Sequence, residues 1–191
     1  MKPKILKLSA LFLSLLFIGA GCNNDEDLFE LQIGDKNAVI QQEVNGIEFT
    51  FCLLNEAGEP ATVFNEGENF TFRFSIQNKN KQLIYFDQSL MNSNEFCEVK
   101  NNTKSFGKPF EIIGVNEIGK IGWSIPENST TEISVKWIPD SDTWNISHFY
   151  LKNKHLSVLS KGIYLTEFSQ KFDLETLQTK KLTFKINFEI K

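Results

Sequence analysis

Two segments of this chain alternate strictly between apolar and polar residues, and this pattern constrains the fold more than any other feature. Residues 70–77 read Phe-Thr-Phe-Arg-Phe-Ser-Ile-Gln, and residues 182–190 read Leu-Thr-Phe-Lys-Ile-Asn-Phe-Glu-Ile. Successive side chains of a β-strand point to opposite faces, so each segment predicts a strand with one buried face. The 18 phenylalanines suit such half-buried surfaces. No segment longer than about 12 residues has a convincing helical period, so we expect an all-β fold.

Turn signals separate the candidate strands. Asn45-Gly46 is the strongest of them, because both residues tolerate the positive φ that a type I′ hairpin turn demands. The candidate strands are 39–44, 47–54, 62–64, 70–77, 83–86, 110–113, 121–125, 131–137, 148–151, 163–172 and 182–190. Short strands between regular turns predict one antiparallel β-sandwich domain over residues 38–191. Residues 87–107 read as a polar, loop-like segment with a short apolar patch at 96–99.

Several motifs recur in a recognisable order: a turn at Gly67-Glu68 precedes the alternating strand, Trp137 follows, and a Gly-x-Tyr motif at Gly162 to Tyr164 opens the last strands. This order resembles the immunoglobulin-like domains of bacterial exported proteins. This arrangement is similar to the domain named after an intracellular proteinase inhibitor of Bacillus. The resemblance implies an immunoglobulin-like sandwich and carries no expectation of inhibition.

The first 22 residues have the layout of an export signal. Lys2, Lys4 and Lys7 precede an apolar stretch at 8–18, which is too short for a membrane-spanning helix. The following Gly-Ala-Gly-Cys at 19–22 resembles the lipobox of bacterial lipoprotein signal peptides. The resemblance implies that residues 1–21 are removed and that Cys22 is acylated. Two or three acyl chains on one residue would hold the protein stably on its membrane. The alternative is a buried apolar helix that ends in a cysteine by chance.

An acidic run follows Cys22. Asp25, Glu26 and Asp27 resemble the lipoprotein export signal of Bacteroidota, which implies display on the outer face of the outer membrane. A periplasm-facing anchor is the alternative location. A plain solvated tether would have the same composition. We expect residues 22–37 to form a flexible acidic tether before the domain.

The net charge and the cysteines indicate which classes of protein fit this chain. The net charge of −4 becomes more negative once the lysines of the signal peptide are removed. Nucleic-acid binding is disfavoured, because it depends on clustered basic residues. An exported chain with Cys52 and Cys97 left over predicts either a disulfide between them or two separate buried thiols.

No pattern in the chain predicts catalysis, a metal or a cofactor. His148 and His155 are the only histidines, and neither belongs to a known metal-ligand spacing. A nucleophile elbow of the Gly-x-Ser-x-Gly type is also absent from the sequence. We therefore expect a protein that is not an enzyme.

The segment Asp140-Ser-Asp142-Thr-Trp144-Asn145 is the candidate ligand site. It begins like a calcium loop but fails as an EF-hand, because its sixth position is Asn145 where the motif needs glycine. An aromatic ring beside carboxylates and an amide can stack on and hydrogen-bond a sugar or a peptide. The alternative is an ordinary solvated turn. Trp123 and Trp137 lie in apolar contexts and are expected in the core.

These patterns together predict a lipid-anchored surface protein that binds or scaffolds a glycan or a protein at the cell envelope. A first alternative is a proteinase-inhibitor or adhesion module that presents residues 87–107 to a partner. A second alternative is a small envelope hydrolase.

Overall fold

The computed structural model describes residues 26–87, 89–116, 122–174 and 177–191. The predicted signal peptide, Cys22 and Asp25 lie outside these ranges. Among the described residues, no helix combines the length and the apolar character that crossing a bilayer requires.

The described residues form fifteen strands and one short helix, which confirms the all-β prediction. In chain order the elements are β1 (Glu26–Leu31), β2 (Ile40–Val44), β3 (Ile47–Leu54), β4 (Val63–Phe64), β5 (Thr71–Asn78), β6 (Ile84–Asp87), α1 (Ser89–Asn92), β7 (Val99–Lys100), β8 (Ser105–Gly107), β9 (Phe110–Val115), β10 (Gly122–Ile125), β11 (Thr130–Lys136), β12 (Thr143–Ile146), β13 (Phe149–Asn153), β14 (Gly162–Leu174) and β15 (Leu177–Ile190).

Two larger sheets form the body of the protein. The first has the order β1-β15-β14-β7-β8, with β4 also paired to β15, and the second has the order β11-β5-β3-β2. Two smaller sheets, β10-β6 and β12-β13-β9, flank them. The expectation of purely antiparallel pairing is wrong at one edge, because β1 and β4 both run parallel to β15.

Phenylalanine rings from the two larger sheets meet face to face and form the core. Phe51 and Phe74 of the second sheet lie 5.2 Å and 5.5 Å, between ring centroids, from Phe168 of the first. Phe49 and Phe172 make a further contact across the sheets at 4.7 Å. All five side chains are fully buried. The period-two alternation therefore identified the buried face correctly, since one face of each strand packs against the other sheet.

The structure corrects the length of the predicted tether. Residues 26–31 form β1, whose register against β15 begins with Glu26 opposite Lys181. Leu31 is buried, and the Phe29 ring lies 5.5 Å from the Phe184 ring. Beyond β1, the backbone N–H of Gly34 donates a hydrogen bond to the rest of the fold. Residues 26–31 thus belong to the sheet, because the strand pairs with β15 and Phe29 and Leu31 pack against the core.

Residues 87–107 also differ from the expected loop. This segment contains α1, β7 and β8, and residue 88 lies outside the described ranges. Leu90, Met91 and Phe96 are completely buried, and the Phe96 ring packs 5.2 Å from the Phe168 ring. The apolar side chains pull the middle of the segment into the core, so its centre is not a surface loop that a partner could grip.

Candidate functional site

One end of the sandwich carries a depression lined by part of the predicted ligand segment. Leu54, Thr71 and Lys136 are neighbours in the register here, where β3 and β11 end and β5 begins. We call this end of the sandwich, which carries the depression, the groove end. Trp144 of β12 lines the same depression, which measures about 380 Å³. Its lining residues are Leu54, Thr71, Ser134, Val135, Lys136, Pro139, Asp140, Ser141 and Trp144.

Strand alternation on β12 determines which side chains reach this depression. Trp144 pairs with Leu151 in the register and packs against the edge of the core, so its ring is partly buried. The next residue, Asn145, points to the opposite face and is exposed. The depression therefore contains the indole ring without the neighbouring amide.

An ion pair marks the polar side of the depression. Lys136 Nζ lies 2.6 Å from Asp140 Oδ2, and both side chains are substantially exposed. Among the described residues, no side-chain hydrogen bond engages the hydroxyl groups of Ser134 or Ser141. The lining thus includes one aromatic ring, one charged pair and the hydroxyl groups of Thr71, Ser134 and Ser141.

The predicted group of four ligand residues does not come together as one cluster. Asp140 and Trp144 line the depression, whereas Asp142 and Asn145 do not. The backbone carbonyl of Asp142 accepts a hydrogen bond from the backbone N–H of Asn153 at 2.8 Å. The Asp142 carboxylate lies 3.9 Å from His155 Nε2, at an exposed position.

Sequence reasoning missed a second depression that adjoins the first. It measures about 370 Å³, shares Leu54, Thr71, Lys136 and Asp140 with its neighbour, and adds Asn55, Glu56, Gly58 and Asn69. We call the two together the end groove. The added residues come from two turns that the sequence marks only as turns, so no signal in the chain placed them beside Asp140.

Hydrogen bonds hold the walls of the second depression in place. Asn69 Nδ2 donates to the Ile138 carbonyl at 2.9 Å, and the Ile138 N–H donates to Asn69 Oδ1 at 3.0 Å. Glu56 Oε1 accepts from the Asn69 backbone N–H, and Asn55 Oδ1 accepts from the Glu59 N–H. These contacts tie both turns to the segment that follows β11 and give the groove a defined shape.

The structure distinguishes between the two alternatives for the remaining cysteines. Cys52 and Cys97 are both free and buried. Cys52 faces away from Phe51 on β3 and lies opposite Arg73, while Cys97 belongs to the apolar cluster between the sheets. Burial raises the pKa of both thiols. The second sheet separates the two side chains, which leaves two independent buried thiols.

The remaining sequence candidates lie away from the end groove. Trp137 is in the core as predicted: its ring stacks on Phe70 at 5.8 Å, and its indole N–H donates to the Ser157 carbonyl. Trp123 belongs to β10, and its side chain lies outside the described part of the structure. His148 and His155 do not line the groove, and no group of three or more His, Cys, Asp or Glu among the described residues is placed to hold a metal ion.

One acidic residue of the predicted export signal, Glu26, takes part in the fold, as does Glu30 further along β1. The Glu26 carboxylate accepts a hydrogen bond from the Thr183 hydroxyl and lies 3.2 Å from Lys181 Nζ. These two contacts, the hydroxyl first, lower the pKa of Glu26 below its ordinary value. Glu30 makes the same kind of contact with Lys185, at 2.7 Å. The folded chain therefore uses both carboxylates to fasten β1 to β15.

The chain matches no known protein-family model. A search of curated proteins finds no match either.

Proposed function

We propose that this protein is a lipid-anchored binding module on the cell surface, without enzymatic activity, and that the end groove is its ligand site. The observation that carries the ligand site is the meeting of Trp144 with the Lys136–Asp140 pair around one depression. The lipobox-like Cys22 and the acidic residues after it support anchoring and display at the outer membrane.

The chemistry of the end groove suits a glycan or an extended peptide. An aromatic ring can stack on the apolar face of a sugar, and hydroxyl and charged groups beside it can hydrogen-bond the sugar hydroxyls. Trp144 supplies the ring, and Ser134, Ser141 and Asp140 supply the polar groups. A protein partner could use the same ring as an anchor, since tryptophan is enriched at interface hot spots.

The strand connections support an immunoglobulin-like arrangement of this module. In constant-type immunoglobulin domains, strands A, B and E share one sheet and strands C, F and G share the other. Here β3, β5 and β11 pair in one sheet, and β7, β14 and β15 pair in the other, in the matching chain order. Tyr164, near the start of β14, donates its hydroxyl hydrogen to the Ser160 carbonyl at 2.7 Å. This contact is the counterpart of the tyrosine corner of such sandwiches.

The alternative functions have less support. A module that grips a partner through residues 87–107 would need that segment exposed, and its centre is buried. A hydrolase would need a histidine in a cleft beside a nucleophile, and neither His148 nor His155 lines the end groove.

A glycan array with the intact protein tests the ligand site. Trp144→Ala should abolish binding to the glycans that the wild type retains, while Tyr150→Ala, an exposed aromatic outside the groove, should leave binding unchanged. Because Trp144 also packs against the core, Asp140→Asn serves as a second variant that keeps the indole in place. Wild-type binding by both groove variants would exclude the end groove as the site.

Proteolysis of intact cells tests the location. A surface lipoprotein should be cleaved by protease added outside, and a periplasm-facing one only after lysis. Protection in intact cells would refute surface display.

A further inference from the structure

The position of β1 limits how the domain can sit on a membrane, and this inference rests on the proposed acylation of Cys22. Glu26, the first residue of β1, pairs with Lys181 of β15. Cys22 precedes Glu26 by four residues. Four residues of fully extended chain span at most about 14 Å, so Glu26 must stay within that distance of an acylated Cys22 at the bilayer surface.

The β14–β15 hairpin extends beyond the start of β1 on the same side. β15 begins at Leu177, four residues before Lys181, and Leu177 pairs with Leu174 at the end of β14. Four residues of strand cover about 13 Å. The hairpin therefore projects past Glu26 by about 13 Å, which is close to the 14 Å or so that the chain from Cys22 to Glu26 can span. We call this side of the sandwich the hairpin end.

The end groove lies at the opposite end of the sandwich. β15 runs away from the hairpin end towards Ile190, which pairs with Phe64 of β4. Phe64 contacts Phe70, which directly precedes β5, with 5.3 Å between ring centroids. β5 begins at Thr71, a residue that lines both depressions of the groove. The strand directions thus separate the groove from the hairpin end by the length of the sandwich.

We propose that the hairpin end lies against the lipid headgroups and that the end groove faces away from the membrane. The short link from Cys22 prevents the domain from standing off or turning over, because either movement would carry Glu26 beyond the reach of the anchor. A soluble ligand on the protein's side of the membrane then meets the groove first. The lipid surface is the partner of the hairpin end.

Two lysines on β14 provide a matched pair of positions for the test. Lys171 lies at the hairpin end, opposite Lys181, and Lys161 directly precedes β14 at the groove end. Both are exposed, and their separation of ten positions corresponds to about 33 Å of strand. Cys52 and Cys97 are fully buried, so a thiol-reactive fluorophore will label only an introduced cysteine in the folded protein.

The experiment places the processed, full-length Lys171→Cys and Lys161→Cys proteins in vesicles of phosphatidylethanolamine and phosphatidylglycerol. The vesicles carry a nitroxide on part of the headgroups. Quenching should be several-fold stronger at position 171 than at position 161. The same labelled variants produced without residues 1–22, and therefore without the signal peptide and the acylated cysteine, should show no quenching at either position.

The possible failures are distinguishable. Mass spectrometry of the processed protein reports acylation of Cys22 directly, and a Cys22 without acyl chains would overturn the proposed anchoring and the orientation with it. An acylated protein with equal quenching at both positions, or stronger quenching at 161, would overturn the orientation alone.

Discussion

Phe168→Ala tests whether the interleaved phenylalanine rings stabilise this fold. The Phe168 side chain is fully buried at the centre of the core. Its ring centroid lies within 5.5 Å of four others: Phe51 at 5.2 Å, Phe74 at 5.5 Å, Phe96 at 5.2 Å and Phe184 at 5.2 Å. Because these neighbours come from both sheets and from the segment before β7, they cannot all collapse into the space that the ring leaves.

The expected cost follows from the buried volume. A buried phenylalanine replaced by alanine lowers the free energy of unfolding by about 3–5 kcal/mol. In urea, where the free energy falls by about 2 kcal/mol per molar for a domain of this size, the midpoint should drop by about 2 M. Since that is a large share of the stability of a typical domain, Phe168→Leu gives a milder variant, with an expected loss of about 1–2 kcal/mol.

Equilibrium urea unfolding, followed by tryptophan fluorescence, measures both variants. Phe106→Ala is the matched control, because Phe106 is only partly buried and has Tyr164 as its ring partner among the described residues, at 5.2 Å. This control should lose about 1 kcal/mol. A loss below about 1 kcal/mol for Phe168→Ala, or one equal to the control, would refute the proposed role of the central rings.

Three further predictions follow from individual contacts. Tyr164→Phe removes the hydroxyl hydrogen bond at the start of β14 and should lower the free energy of unfolding by about 1 kcal/mol in the same assay; an unchanged midpoint would exclude a stabilising role for that bond. Cys52 and Cys97 should each react with N-ethylmaleimide only after denaturation, as read by mass spectrometry, and two unreactive cysteines in the denatured, unreduced protein would instead indicate a bridge. The pKa of Glu26 is lowered in the folded state, so its contribution is present above the ordinary value of 4.5 and is lost as the pH falls through the lowered pKa. The protection factors of the β1 amides, which correct exchange for its intrinsic pH dependence, should therefore fall in acid, and Glu26→Gln should weaken that dependence, with Glu30 retaining its own share; a wild type without the acid effect would contradict the attachment.

The alternating segments predicted their strands well because the pattern is local. In 70–77 and 182–190 the apolar residues are two positions apart. They therefore all lie on the same face of the strand, and that face is the one expected to be buried. The Asn45-Gly46 turn was also predicted from local sequence, and both residues adopt the positive φ that such a turn requires. The positions of these strands along the chain can therefore be predicted from neighbouring residues alone.

The sequence predicted a solvated tether for the acidic residues before β2, because the lysines that contact them are far away in the chain. Glu26 and Glu30 look like solvated charges until Lys181 and Lys185 come alongside them. The same limitation applies to residues 87–107, where the sequence shows the apolar patch at 96–99 but not that Phe96 packs into the core. Composition reports average polarity, whereas burial depends on what packs against each side chain.

What the sequence determined by itself is the all-β class and the buried face of the long strands. Only the tertiary structure decided that β1 and β4 share the edge of β15, that Cys52 and Cys97 lie on different sides of a sheet, and that Asp140 and Trp144 share a groove with Asn55 and Asn69. The physical reason is that alternation specifies which way a side chain points, while the pairing of sheets specifies which distant residues it meets.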